Sequence, residues 1–268
     1  MTARATLWFG IAAAAAAALA CAPKPLTPEE ARAKGDGLLR QMSQSLASTP
    51  SFSYTADETR EHAQPDGKKS EQHFIRRVVV RRPDALTFSD EGTAHDLSAW
   101  YSKGKVTLVS NKSKVWARGP MPATLDEALD FVSSEYAIQL PTADLLYSSP
   151  YDALMTPDTT GGWSGVDTID GQAYDHLAYS QPLVDWEIWL TQDDRHLPHR
   201  VRILYKKDDG QPATRVDFRD WNPAPQVSDA TFEPVVPDGY TRIKIMRYAT
   251  VEDKSVAADT PPSDQKPK

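Results

Sequence analysis

The chain has 268 residues, enough for one large domain or two small ones, and its 40% hydrophobic and 25% charged content is ordinary for a globular protein. Its 30 Lys and Arg against 37 Asp and Glu give a net charge of -7, which argues against nucleic acid as a partner, because binding phosphates needs a basic surface. The single cysteine, Cys21, excludes an intramolecular disulfide, so the fold must stand on its core.

The first twenty residues read as a signal peptide. Arg4 supplies the positive start, and Leu7 to Ala20 is an apolar run too short to span a membrane in a mature protein. It ends Ala18-Leu19-Ala20-Cys21, which supports two readings. Ala-x-Ala alone fits release of a soluble periplasmic protein. The sequence also resembles a lipobox, with Cys21 as the acylated first residue, although Leu19 stands one place later than is usual. Ala22 rather than Asp follows, so the inner-membrane retention signal of enterobacterial lipoproteins is absent, and an outer-membrane anchor is expected. Without residues 1–20 the basic count falls by Arg4 to 29 against 37 acids, a net of -8. Residues 21–29 read as a tether, and no later apolar stretch is long enough for a transmembrane helix.

Thr27-Pro28-Glu29-Glu30 predicts a helix start, with Thr27 and Glu30 as a capping box and Pro28 in the first turn. Leu38, Leu39, Met42 and Leu46 recur at helical spacing up to about Ser48. Such a helix beside a lipid anchor could lie on a membrane, but packing on a core is the stronger expectation. Phe52, Tyr54 and Ala56 open a strand, and a turn at Gln64 to Gly67 leads to a second, Glu71 to Arg82, with Phe74, Val78 and Val80 on one face. Arg76, Arg77, Arg81 and Arg82 read either as a basic patch or as a solvated strand face balanced by acids. Pro83 ends the strand and fixes the direction of Arg82.

Leu86 and Phe88 belong to a further strand, and a hairpin follows in which Trp100, Tyr101, Val106 and Leu108 flank the turn at Ser102 to Lys105. After a short strand at Val115 to Ala117 the period changes. Thr124 and Glu127 cap a helix striped with Leu125, Ala128, Leu129, Val132 and Tyr136, and Ala143 to Leu146 reads as a second short helix ending before Pro150. Between Val166 and Phe218 the alternation of strands returns: Tyr174, His176 and Ala178; Trp186, Ile188 and Leu190; Val201, Ile203 and Tyr205; Val216 and Phe218. Asp170-Gly171 and Asp209-Gly210 supply turns. Trp186 and Trp189 have opposite parity, so only one of them can face the core. Ala230 to Phe232 and a segment through Ile243 and Ile245 read as last short strands, and 252–268 as a disordered tail.

Catalytic motifs are scarce. His196 and His199, near Asp193 and Asp194, are the only cluster resembling metal ligands, but they lie at a turn without a third His or a Cys, so no metal is expected. Gly162-Trp163-Ser164-Gly165 falls short of a nucleophile elbow and reads as a loop before a strand. No phosphate-binding loop or dinucleotide fingerprint is present, so neither an enzyme nor a cofactor is expected.

Several patterns, taken in order, resemble the LolA/LolB superfamily of periplasmic lipoprotein carriers. They are Arg82-Pro83 followed by Leu86 and Phe88; Trp100-Tyr101-Ser102-Lys103-Gly104-Lys105-Val106, with Lys103 where Asp is common; and Phe232-Glu233-Pro234 through Pro237-Asp238-Gly239. A branch of predicted periplasmic proteins is more similar still, through Ile169-Asp170-Gly171, His176-Leu177, Trp186-x-x-Trp189, Leu197-Pro198-x-Arg200, Gly210-x-Pro212 and Trp221-Asn222. The resemblance covers roughly residues 30 to 246.

It implies a mainly β (α+β) fold, an open curved antiparallel sheet or half β-barrel, with helices as a lid over a hydrophobic cavity. In such carriers the cavity shelters acyl chains, and an arginine at the Arg82 position helps hold the lid. The expected cavity face comprises Phe74, Val78, Val80, Phe88, Trp100, Trp186 and Ile188, with Trp189 as the alternative to Trp186. The implied function is non-catalytic binding of a lipid or an acylated protein in the cell envelope. A different class stays open: an envelope sensor or scaffold that binds a protein partner.

Overall fold

A computed structural model describes residues 25–92, 96–136 and 140–245. The signal peptide, Cys21, the front of the tether and the tail at 252–268 lie outside the described residues.

Helix α1 (Pro28–Ala47) starts as its sequence dictates. The Thr27 hydroxyl accepts from the Glu30 amide at 3.2 Å, and the Glu30 carboxylate accepts from the Thr27 amide at 2.7 Å. Leu39, Met42 and Leu46 are fully buried, each contributing about 1.5–3 kcal/mol of apolar burial. The helix ends at Ser48, whose amide donates to the Gln44 carbonyl, and Pro50 prevents continuation.

The strands are β1 (Ser51–Ala63), β2 (Lys69–Arg81), β3 (Ala85–Gly92), β4 (Leu97–Ser102), β5 (Lys105–Ser110) and β6 (Val115–Pro120), then β7 (Thr160–Ile169), β8 (Gln172–Ser180), β9 (Val184–Thr191), β10 (Pro198–Tyr205), β11 (Ala213–Asn222) and β12 (Thr241–Arg242). They form one 12-stranded sheet in the order β12-β6-β5-β4-β3-β2-β1-β11-β10-β9-β8-β7. Every pairing is antiparallel except β12 with β6, and the sheet is open and curved. Its concave face carries Phe52, Tyr54, Val78, Val80, Leu177, Trp186, Ile188, Val216 and Phe218, packed in one core with Leu39, Met42 and Leu46 of α1. Helices α2 (Leu125–Tyr136) and α3 (Pro150–Leu154), with a 3-10 turn at Ala143–Leu146 between them, complete the cover.

The hairpin turns obey local chemistry. Lys103-Gly104 has φ of 51° and 69°, and Asp170-Gly171 has 50° and 82°, the left-handed pairs that two-residue hairpins need.

Several expectations are corrected. The stretch Gly162 to Gly165 is part of β7, not a loop, with a bulge between Trp163 and Gly165. Gly162 serves a close crossing: a Cβ there would lie 2.5 Å from the Ala31 carbonyl oxygen of α1. The short helix expected at Ala143 to Leu146 is present as a 3-10 turn that ends before Pro150, and Pro150 itself opens a further helix, α3, in whose first turn its missing amide costs nothing. Ala230 to Phe232 is a 3-10 turn (Asp229–Phe232), wound by the mutual capping of Ser228 and Thr231, and the last strand is confined to Thr241–Arg242.

The four arginines do not form one patch. Arg76 lies on the concave face, where its Nε and Nη2 donate to the two carboxylate oxygens of Asp90 at 2.7 and 2.8 Å. Glu58, 1% exposed, stands 3.6 Å from Arg76 and also accepts from Arg60. Burial alone would lower the Arg76 pKa, but the bonds and charge of Asp90, with the charge of Glu58, hold it above its ordinary value. Arg77 pairs with Glu91 on the convex face, Arg81 pairs with Asp229, and Arg82 turns to the lid.

Candidate functional site

Strand register decides which side chains can meet a ligand. The two-residue turn at Lys103-Gly104 pairs Tyr101 with Val106 and Ala99 with Leu108, and β3 adds Leu86 and Phe88 to the same face. Helix α2 lies over them. Thr124 and Glu127 cap its start, and the Leu125 amide donates to the Pro83 carbonyl at 2.7 Å. Its stripe of Leu125, Ala128, Leu129 and Val132 faces the strands across a cavity of about 150 Å³. Leu140 and Ile245 also line the cavity. The Tyr101 hydroxyl donates to the Pro122 carbonyl at 3.0 Å, and burial pushes its pKa up to about 12, so it stays neutral.

A second cavity, about 120 Å³, lies across the sheet, between Val184, Trp186, Ile188, Val201 and Ile203 below and Leu145, Ala153 and Leu154 above. The segment carrying the 3-10 turn stands between the two, with Leu140 lining one and Leu145 the other.

Polar bonds tie the lid together. The Tyr147 hydroxyl donates to Asp130 at 2.8 Å, and the Ser148 amide donates to Asp126 at 2.9 Å. Arg82 Nη1 donates to the Leu146 carbonyl at 2.7 Å, joining the sheet to the lid's centre. Its Nε and Nη2 are buried and have no partner among the described residues. Burial lowers the Arg82 pKa, opposed by the nearby charge of Asp126. The guanidinium is thus held by one strong bond with two donors in reserve.

Of the expected cavity face, Phe88 lines the larger cavity, and Trp186 and Ile188 line the smaller. Val78 and Val80 are packed in the core between them, and Phe74 is buried beneath the guanidiniums of Arg60 and Arg76, at 5.1 and 5.4 Å. Trp100 is a correction: it pairs with Thr87 and Thr107 on the convex face, opposite to Ala99 and Tyr101. Trp189 is also convex, stacked on His176 at 4.3 Å and donating to Asp167 at 2.8 Å. His196 and His199 diverge, the first contacting the Thr191 carbonyl and the second stacking on Tyr174 at 4.1 Å. Among the described residues no group of three or more His, Cys, Asp or Glu could hold a metal ion, and no helix is long and apolar enough to cross a membrane.

Sequence reasoning passed over Leu86, Ala99, Tyr101, Val106, Leu108 and the α2 stripe as cavity walls. The signal was available, because Val106 and Leu108 alternate with the polar Thr107.

Among solved structures the chain is similar to an uncharacterized conserved protein of Thermus thermophilus (9% identity, TM-score 0.46, covering 78% of this chain and 98% of that one). It is also similar to a LolA superfamily protein of Nitrosomonas europaea (12% identity, TM-score 0.39, 75% and 98%) and to the Mycobacterium tuberculosis lipoprotein LppX (16% identity, TM-score 0.43, 72% and 98%). No curated protein matches the chain. A family model described as "Predicted periplasmic protein (DUF2092)" matches residues 35–246, most of the length and every element from the second half of α1 to β12. The chain belongs to this DUF2092 family of predicted periplasmic proteins.

Proposed function

We propose that this protein binds the acyl chain of a lipid or of an acylated protein in the cell envelope, without catalysis. The observation that carries the reading is the cavity beneath α2, whose walls are almost wholly aliphatic or aromatic side chains, two of them tyrosines, with the Tyr101 hydroxyl already engaged. Burial of an alkyl chain on such a surface is non-directional and gains about 25 cal/mol per Å². A cavity of about 150 Å³ takes a group the size of a benzene ring, so a whole acyl chain requires the lid to move. Displacing the segment from Leu140 to Leu146 would join the two cavities into one trough along the concave face. In this reading Arg82 is the latch, and its two donors without a partner among the described residues favour a state in which it finds other acceptors. Acylation of Cys21 would tether the domain to the outer membrane, which the intact mass of the mature chain reads.

The test is to fill the cavity. Ala128→Phe places a ring in the space beneath α2, and the variant is expected to lose most of its uptake of a fluorescent fatty acid. Trp100→Ala, on the other face, is expected to leave uptake unchanged. Full uptake by a folded Ala128→Phe variant contradicts the reading. If the unaltered protein takes up no probe, the partner-binding alternative gains.

A further inference from the structure

β12 pairs with β6 only through Thr241 and Arg242, and the chain then leaves the strand. A groove of about 640 Å³ opens there, walled by Arg118, Gly119 and Pro120 of β6, by 242–245, and by Phe131 and Tyr136 of α2. Its charged wall residues are Arg118, Arg242 and Lys244, and among the described residues no carboxylate lines it. That is unusual on a chain of net charge -7. Elsewhere on the sheet Arg77, Arg81, Arg200 and Arg202 each meet an acid. Arg118 and Arg242 instead lie over the ring of Trp116, at 5.9 and 5.1 Å, and Arg118 Nε donates to the Thr107 hydroxyl at 2.8 Å. These contacts fix their direction, and among the described residues no acid pairs with either.

The groove and the apolar cavity share two walls, Tyr136 and Ile245. Ile245 lies over Gly119, its Cδ1 3.3 Å from where a Cβ on that glycine would stand. Thr107 and Trp116 belong to the convex face, so the guanidiniums of Arg118 and Arg242 stand on the convex side of the sheet's open edge, and the apolar cavity lies round that edge behind two side chains, Tyr136 and Ile245. We propose that the groove is a headgroup subsite and that the ligand is an anionic amphiphile, with its phosphate or carboxylate at Arg118, Arg242 and Lys244 and its chain passing Ile245 under α2. This rests on the reading of the cavity as an acyl site and adds the charge and polarity of the ligand to it. Guanidinium groups suit the anion because they offer paired donors to carboxylate or phosphate oxygens.

The experiment compares pyrenedecanoic acid with its methyl ester, which has the same chain and no charge, on the full mature protein. The acid is expected to bind at least about tenfold more tightly, the value of one charge-assisted bond. Its affinity is expected to fall with added salt while that of the ester does not. In the variant Arg118→Gln/Arg242→Gln/Lys244→Gln the acid should weaken to the level of the ester, with ester binding unchanged. Equal binding of acid and ester to the unaltered protein overturns the subsite and leaves the cavity reading standing. Binding of neither overturns both. A variant that loses the ester as well assigns the three cations to structure rather than to the anion, and displacement of the acid by inorganic phosphate alone would show a site for free anions, not for an amphiphile.

Discussion

Arg76 shows what a charge on the concave face requires. Its bidentate bond to Asp90 is buried, with Asp90 2% and Arg76 13% exposed, and Glu58 and Arg60 complete a balanced group of two acids and two bases. Removing one member leaves the others buried and unequal. Asp90→Ala is expected to destabilise the protein by about 3–5 kcal/mol, the cost of breaking a buried pair, as read by urea unfolding; a loss below about 1 kcal/mol would mean the pair is solvated. At this scale the sequence was legible where parity alone decided, as for Val78, Phe88, Trp186 and Ile188. It misled where size was preferred to parity. Trp100 is the largest side chain in its hairpin, yet the turn at Lys103-Gly104 pairs it with Thr107, and the smaller Ala99 and Tyr101 face the cavity. The split of Arg76 from Arg77 was also written in the alternation. Its partners Asp90 and Glu58 come from neighbouring strands, which no local pattern of β2 contains.

Elements meet through close approaches that local propensity does not report. Helix α1 crosses β7 at Gly35, where a Cβ would lie 2.6 Å from the Tyr179 hydroxyl and 2.8 Å from the Trp163 amide nitrogen. Two residues on, a Cβ at Gly37 would meet nothing within 4 Å. Gly37→Ala is therefore expected to stabilise the protein by about 0.5–1 kcal/mol through helix propensity. Gly35→Ala, with the same propensity gain, is expected to lose about 1–3 kcal/mol net through overpacking. Thermal melts of the two variants check the pair, and shifts of the same sign would place the crossing elsewhere. The latch belongs to this scale too. Arg82→Leu removes the bond to the Leu146 carbonyl and is expected to speed hydrogen exchange in 143–154 by about tenfold, while the β7–β11 amides stay protected. Unchanged exchange in that segment would remove the latch role. The helices were visible from their caps, Thr27 with Glu30 and Thr124 with Glu127. The 3-10 turn at Asp229–Phe232 was not, because Phe232 is buried under Arg81, whose guanidinium lies 4.9 Å from its ring, rather than by a strand pairing.

The whole molecule is one curved sheet whose concave side is too wide for its own side chains to fill. The concave face takes α1 against β7, α2 against β3–β5 and the segment 140–154 over β9 and β10, and the two cavities described above lie beneath this cover. The ordered motifs that resembled a family of periplasmic proteins agree with the family match over residues 35–246, and the alternating runs gave the mainly β class. The joining of β1 to β11 could not be read from sequence, since it brings together strands separated by most of the chain. It is this pairing that closes two meanders into one sheet and gives the lid a single floor. The central claim is that this floor holds an acyl chain, and mass spectrometry of an organic extract of residues 22–251, purified from a periplasm without detergent, tests it most directly. A phospholipid or fatty acid at one equivalent per chain is the predicted result, and an anionic species would agree with the cationic groove. A folded protein that yields no lipid, and stays empty when offered an acyl probe, would contradict it.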